Sequence, residues 1–76
     1  MCLGVPMQVI TVEGDTAVAE IDGVRREASL LMLAEPVAVG DYVIVHAGFA
    51  ISRIDPAEAE ETLRMMREVF SPEDMV

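Results

Sequence analysis

Apolar and polar residues alternate with a period of two along much of the chain up to residue 54, a pattern typical of short β-strands. In residues 16–21, Ala17, Ala19 and Ile21 share one face of such a strand, and the Asp22-Gly23 pair that follows is a strong signal for a hairpin turn. The pattern predicts strands over residues 8–13, 16–21, 24–31, 42–47 and 49–54, with Gly48 as the bend between the last two. Short strands with close turns predict a partly closed barrel, because closure hides the strand edges.

The remaining residues predict one helix. Asp55 is placed to cap it, Pro56 suits the first helical position, and Glu58 follows at the third, as in a capping box. The apolar residues that recur at helical spacing, and that we expect to pack on the barrel, are Ala59, Leu63, Met66 and Phe70. The residues expected to stay solvated are Glu60, Glu61, Arg64, Arg67 and Glu68.

Length and composition predict one small domain. A chain of 76 residues, 53% of them hydrophobic, can form one core but not two. We therefore assign residues 1–76 to a single, mainly β domain, with a barrel over residues 1–54, a C-terminal helix over 55–71 and a frayed tail over 72–76.

The charge of the chain is strongly acidic, with 14 Asp and Glu residues against five Arg and a formal net charge of -9. This charge repels nucleic-acid phosphates and anionic lipid surfaces. No uncharged apolar run approaches the roughly 18 residues that a membrane-spanning helix needs, and the first residues lack a basic secretory leader. These features predict a cytoplasmic protein that binds neither nucleic acid nor membrane.

Cys2 is the first candidate for chemistry. As the single cysteine it excludes an intrachain disulfide and an all-cysteine metal cage from this chain alone. Removal of Met1 would leave its thiol beside a free amine. A thiolate is a soft ligand for low-spin iron, copper(I) or zinc, and also a nucleophile in thiol exchange. The alternative is that Cys2 is only a small apolar residue near a chain end.

His46 is the second candidate. It lies in an apolar run over residues 43–47, where alternation places it on the face opposite Val45. Alone it can be an ordinary hydrogen-bonded strand residue. If the first and fourth strands bring it to the same end of the barrel as Cys2, its imidazole could activate the thiol or supply a second ligand. Arg25-Arg26, the only basic cluster, is either a solvated hairpin edge or a contact for an acidic partner.

Three segments together resemble a known family. They are M-C-L-G-V-P at residues 1–6, G-V-R-R-E at 23–27 and G-D-Y-V-I-V-H-A-G-F-A at 40–50. The chain is similar along nearly its whole length to the HypC/HupF/HybG family of [NiFe]-hydrogenase maturation chaperones. Met7 stands where many members have glycine or alanine, a difference that touches no functional residue.

The resemblance implies a five-stranded OB-like β-barrel followed by an α-helix, and a chaperone, not an enzyme. Family members bind the scaffold protein HypD, on which an iron atom acquires cyanide and carbon monoxide, and accompany that iron to the precursor of the hydrogenase large subunit. The family's essential cysteine corresponds to Cys2 and its histidine to His46, with Pro6, Gly48 and Phe49 as supporting positions of the motif.

The function expected on this basis is transient iron carriage through Cys2, with no tightly bound cofactor. A thiolate suits iron that holds cyanide and carbon monoxide, and a single protein ligand permits release. The main alternative is an acidic small-barrel interaction module without a metal role. A thiol-exchange enzyme is a further alternative, but it would need a resolving cysteine from a second protein.

Overall fold

Five β-strands and one helix form the regular elements of residues 4–71 and 74, which are the residues that a computed structural model describes. The elements are β1 (Val5–Glu13), β2 (Thr16–Ile21), β3 (Val24–Ser29), β4 (Tyr42–His46), β5 (Phe49–Ile54) and α1 (Pro56–Arg67). The prediction of a mainly β fold with a helix after the last strand is confirmed.

The strands close into a barrel in the order β1-β2-β3-β5-β4. All neighbours are antiparallel except β3 and β5, which are parallel and joined at one residue pair, Ser29 with Phe49. The long strand β1 contributes to two sides, because residues 5–8 pair with β4 and residues 8–13 pair with β2. A register shift between Val9 and Thr11 leaves one extra residue there, and such a bulge bends a strand.

Two hairpin turns have the same backbone geometry. Asp22 and Gly23 have φ angles of 48° and 88°, and Ala47 and Gly48 have φ angles of 53° and 84°. Two consecutive positive φ values define the type I′ turn, whose twist matches that of the strands it joins. The turn predicted at Asp22-Gly23 is therefore confirmed, and the predicted bend at Gly48 is a second tight turn.

The core fills the barrel from alternate positions of the strands. Met7, at the middle of the β1–β4 pairing, is fully buried, and the face predicted for β2 points inward. The buried apolar residues are Val5, Met7, Val9, Ala17, Ala19, Ile21, Ala28, Val43, Val45, Ala50, Ala59 and Leu63.

Three strand boundaries differ from the prediction. β1 begins at Val5 and not at residue 8, β3 ends at Ser29 and not at residue 31, and β4 ends at His46 and not at residue 47. One further backbone hydrogen bond in the β2–β3 register joins the N–H of Leu30 to the carbonyl of Asp15, 2.7 Å away, and the strand pairing ends there.

Pro6 explains why the start of β1 was missed, because proline usually interrupts a strand. Val9 exchanges backbone hydrogen bonds of 2.8 Å with Gly40 and Asp41, just before β4. Since backbone groups alternate in direction along a strand, Pro6 faces away from β4. Pairing with β2 begins only at Gln8. The absent N–H of Pro6 therefore costs no ladder hydrogen bond.

The helix begins as predicted and ends earlier. The Asp55 carboxylate accepts hydrogen bonds from the N–H groups of Ala57 and Glu58, at 3.0 and 3.4 Å, and Pro56 is the first helical residue. The helix ends at Arg67 and not at residue 71, because the next backbone N–H groups turn back to the carbonyls of Met65 and Met66. The chain after the helix still directs its apolar residues toward the barrel, as the helical spacing predicted. Ala59 and Leu63 are buried, while Met66 and Phe70 pack against the core.

Two polar contacts tie the helix to the barrel. Arg67 donates from Nε and Nη2 to both carboxylate oxygens of Asp22, at 2.8 and 2.9 Å, and the Tyr42 hydroxyl donates to Glu60 at 2.8 Å. Glu60 and Arg67 are exposed, as predicted, but both have protein partners. The hydrogen bond from Arg67 lowers the pKa of Asp22, and the hydrogen bond to Glu60 raises the pKa of Tyr42.

Of the predicted tail, residues 72, 73, 75 and 76 lie outside the described residues. Within the part that is described, α1 is too short and too polar to span a bilayer.

Candidate functional site

The pairing of β1 with β4 sets the beginning of one strand beside the end of the other. Val5 pairs with Val45 and Pro6 with Ile44. Continued back by one residue, this register sets Gly4 level with His46. The first and fourth strands thus meet at this end, as a role for His46 beside the start of the chain requires. Cys2 itself lies outside the described residues.

Gly4 permits this close entry of the chain. A Cβ atom at position 4 would collide with Cγ2 of Ile44, on the neighbouring strand. Because isoleucine is branched at Cβ, its methyl group cannot rotate away without leaving a preferred rotamer. A side chain at position 4 would therefore require Ile44 or the start of β1 to shift.

His46 lies on the outer face of the barrel. The alternation of β4 buries Val43 and Val45 and leaves His46 half-buried, as predicted. Its cross-strand partner is Phe49, whose side chain is 40% exposed. Paired residues project to the same face, with Cα atoms about 5.5 Å apart in a hydrogen-bonded pair. An imidazole and an accessible aromatic ring therefore lie side by side at this end.

The imidazole of His46 has no hydrogen-bonding partner among the described side chains. The side-chain hydrogen bonds of residues 4–71 and 74 do not include it. Within the same residues, no three histidine, aspartate or glutamate side chains are grouped so that they could hold a metal ion. The arrangement thus offers one imidazole, and no complete ligand set, from the described residues.

The turn between His46 and Phe49 is held from a third strand. The carbonyl of Gly48 accepts a 2.9 Å hydrogen bond from the N–H of Ser29, at the end of β3. Ala47 adopts a left-handed conformation that costs a residue with a Cβ about 1–2 kcal/mol, whereas Gly48 adopts it freely. Of the predicted supporting residues, Gly48 forms the turn, Pro6 is buried in β1 and Phe49 is accessible.

Sequence reasoning missed the residues that position this site. The Gly4–Ile44 contact could have been suspected only from a glycine placed directly before a strand. Sequence reasoning also missed the Asp22–Arg67 pair, which ties the helix to the barrel and is not part of this site, because 45 residues separate the two and no local pattern predicts their contact.

The fold and the site define a small closed β-barrel with a packed helix, in which the first strand begins beside an accessible His-Phe pair. The sequence model of the HupF/HypC family matches residues 1–66, and the chain belongs to that family.

Relatives from several bacteria are named hydrogenase maturation factor HypC. The protein from Cupriavidus necator is 49% identical over 70 residues, which cover 91% of this chain and 77% of that protein. The protein from Rhizobium leguminosarum bv. viciae is 46% identical over 69 residues, covering 90% and 91% respectively. The protein from Escherichia coli strain K12 is 38% identical over 79 residues, covering 96% and 87%.

Proposed function

We propose that this chain is a hydrogenase maturation chaperone and not an enzyme. In this proposal it binds HypD and the precursor of the hydrogenase large subunit, and it helps to carry iron with cyanide and carbon monoxide ligands between them. The iron group is cargo, held transiently through Cys2. Membership of the HupF/HypC family supports the maturation role, because the curated relatives are named for it.

The pairing of Val5 with Val45 is the observation that carries the proposal. It sets Gly4 level with His46, and only two peptide units separate Gly4 from Cys2 in the sequence. Two residues span at most about 7 Å when fully extended. The covalent chain therefore keeps the thiol within short reach of the end of the barrel that carries His46 and Phe49.

The donor set suits a cargo better than a resident metal. Cyanide and carbon monoxide favour low-spin iron(II), to which a soft thiolate can bind as a further ligand. A single thiolate with an imidazole nearby leaves positions that a partner must fill. Such a group can be released when the thiols of a client protein replace Cys2.

His46 and Phe49 have separate roles in this proposal. The imidazole is half-buried and makes no side-chain hydrogen bond within residues 4–71 and 74, so it can contact the cargo or a partner protein. The half-exposed ring of Phe49 offers apolar surface beside it, of the kind that protein interfaces bury. Gly48 and Pro6 maintain the geometry of the turn and of the strand start.

The decisive genetic experiment replaces Cys2 in cells that have no other copy of this chaperone. Cys2→Ala is expected to leave the barrel folded, since the described core begins at Val5, and to abolish hydrogenase activity. Cys2→Ser is the matched control, because it keeps the size of the side chain and removes the sulfur. Full hydrogenase activity in either variant would contradict the proposal, and unfolding of both would make Cys2 a structural residue.

Three further experiments separate iron carriage from simple protein binding. The isolated chain is expected to lose iron during dialysis against a chelator and to retain it only together with HypD. His46→Ala is expected to weaken iron transfer or partner binding, with His46→Gln as a control that keeps a polar side chain. If alkylation of Cys2 changes neither partner binding nor hydrogenase maturation, the acidic interaction module without a metal role is the correct function.

A further inference from the structure

We propose that the open edge of β3 binds an extended, acidic segment of a partner protein as an added strand of the sheet. The inference rests on the proposed function, since the partner is one of the proteins that the chaperone serves. It concerns the backbone of β3 and not the strand end that carries His46.

β3 is fully paired on one side only. All six of its residues pair with β2, whereas on the other side a single pair joins it to β5, between Ser29 and Phe49. β3 and β5 run parallel and overlap only there, since β3 ends where β5 begins. Most of β3 therefore forms a strand edge within the described part of the chain.

The direction of each backbone group on this edge follows from two independent observations. The N–H of Ser29 donates to Gly48, on the β5 side, so alternation directs the groups of Glu27 and Arg25 to that side as well. The tight turn at Asp22-Gly23 makes Val24 part of a hydrogen-bonded pair with β2, and counting along β3 from there gives the same result.

The edge is free to accept a strand. Among residues 4–71 and 74, the backbone hydrogen bonds outside the paired strands do not include the N–H groups of Arg25 and Glu27 or the carbonyl of Glu27. The carbonyl of Arg25 accepts a 2.8 Å hydrogen bond from the side chain of Arg26, an exposed and replaceable partner. β3 contains neither proline nor a register shift, two of the devices by which proteins block an edge. Strand addition to such an edge is a common mode of peptide recognition.

The side chains along the edge indicate an acidic occupant. Arg25 and Arg26 are adjacent and exposed, and they form the only basic pair in a chain of net charge -9. Arg25 has a partner in Glu20, but at 3.8 Å and with 68% of its side chain exposed, so this ion pair is weak. Carboxylates on an incoming strand would face both guanidinium groups directly across the ladder.

A second copy of this chain fits the edge poorly. Two-fold antiparallel pairing about Arg26 would set Arg25 opposite Glu27, which is favourable. The same pairing sets Arg26 against its own copy in a non-hydrogen-bonded pair, where Cα atoms are about 4.5 Å apart and like charges destabilise. It would also bring together two chains that each carry a charge of -9.

The edge leads to the candidate site. An added strand beside residues 25–27 would lie on the line of β5, on the other side of the Ala47-Gly48 turn. One end of the bound segment would then reach this turn, directly beside His46 and Phe49. Strand addition would thereby fix the partner in register with the end of the barrel where the proposed cargo is exchanged.

Glu27→Pro and Glu27→Ala form a matched pair of variants that tests the edge. Proline at position 27 removes an N–H that points outward and leaves the β2 pairing intact, whereas alanine removes the same charge and keeps the N–H. Circular dichroism and thermal unfolding serve to check that both variants fold. We expect Glu27→Pro to weaken binding to HypD about tenfold, because the complex loses one backbone hydrogen bond and the close fit around it. We expect Glu27→Ala to change the affinity by less than about twofold.

The charge is tested by a second matched pair, Arg26→Glu and Arg64→Glu. Both variants make the same change in net charge, but Arg64 is exposed on α1, which is not paired with β3. We expect only Arg26→Glu to weaken binding, and we expect that loss to shrink at high salt. Equal effects of the two substitutions would show that only net charge matters and would overturn the acidic occupant.

Amide hydrogen exchange by NMR reports on the edge directly, with two probes: HypD and the synthetic peptide Thr-Val-Glu-Glu-Val-Thr, whose adjacent glutamates project to opposite faces of a strand, as Arg25 and Arg26 do. In the free protein the amides of Arg25 and Glu27 should exchange fast and those of Arg26 and Ala28 slowly; binding should slow the first pair. If the peptide protects these amides but HypD does not bind, strand addition at β3 is supported and the proposed function is wrong.

If HypD binds without slowing the exchange of these amides, and also binds the Glu27→Pro variant, strand addition at β3 is wrong and the proposed function stands. Protection that rises with protein concentration without a probe would identify a second copy and overturn the acidic occupant.

Discussion

The entry of the chain into β1 can be tested by a double-mutant cycle at Gly4 and Ile44. Adding a methyl group at Gly4 places it against Cγ2 of Ile44, and forced overpacking of this kind typically costs about 1–3 kcal/mol. Ile44→Ala alone removes part of a half-buried side chain and should cost about 1–2 kcal/mol, less than a fully buried residue would. Next after Cγ2, the nearest atom to the added methyl group is Cβ of Ile44, at an ordinary 3.8 Å, and alanine retains that atom.

The two substitutions should therefore compensate each other. We expect the double variant to be about 1–2 kcal/mol more stable than the sum of the two single losses predicts, because the collision is absent once Cγ2 is removed. Urea unfolding followed by far-ultraviolet circular dichroism measures the four free energies of unfolding. Losses that add within about 0.5 kcal/mol would show that Gly4 and Ile44 are not in steric contact.

The same variants connect strand entry to function. If the start of β1 positions Cys2, Gly4→Ala should lower hydrogenase maturation more than its stability loss explains, and Ile44→Ala should restore part of it in the double variant. If hydrogenase maturation in all four proteins depends only on their stability, the position of the start of β1 has no role of its own in the function.

Two polar contacts of the helix give predictions on pH. Arg67 lowers the folded-state pKa of Asp22 below 3.8, so this pair stabilises the fold above about pH 4 and the contribution is lost as the pH falls through the lowered pKa. Because both side chains are partly exposed, Asp22→Asn should lower the free energy of unfolding by no more than about 1 kcal/mol at neutral pH. The difference in stability from the parent protein should vanish in acid. A difference that does not change with pH would contradict the ion pair. Tyr42, the only tyrosine, should ionise above its ordinary pKa of 10.0 in a spectrophotometric titration, and Glu60→Gln should move the midpoint back toward it; an unchanged midpoint would contradict the hydrogen bond.

Local signals in the sequence were enough for much of the fold. The Asp22-Gly23 turn and the Asp55 cap were predicted correctly, because each depends on neighbouring residues whose chemistry has few alternatives. The start of β1 was not predicted, because Pro6 reads as a strand breaker until the direction of its missing N–H is known. That direction depends on which strand lies on which side, and only the tertiary structure supplies it.

The candidate site was less accessible from the sequence. Alternation placed His46 opposite Val45 correctly, but its neighbour Phe49 and the contact of Gly4 with Ile44 follow from strand pairing. The open edge of β3 likewise follows from strand pairing and not from a local sequence pattern. Arg25-Arg26 can be read either as a solvated edge or as a partner site until the overlap of β3 with β5 is known to be one residue pair.

In the proposed function, Cys2 holds the iron group while it passes between proteins. Infrared spectroscopy of the complex co-purified with HypD tests it most directly, because cyanide and carbon monoxide bound to iron absorb where proteins are otherwise transparent. We expect these bands in the complex of the parent chain and their loss in a Cys2→Ala complex that still contains HypD. Bands of unchanged position and intensity in the Cys2→Ala complex would show that the iron is held without this thiol.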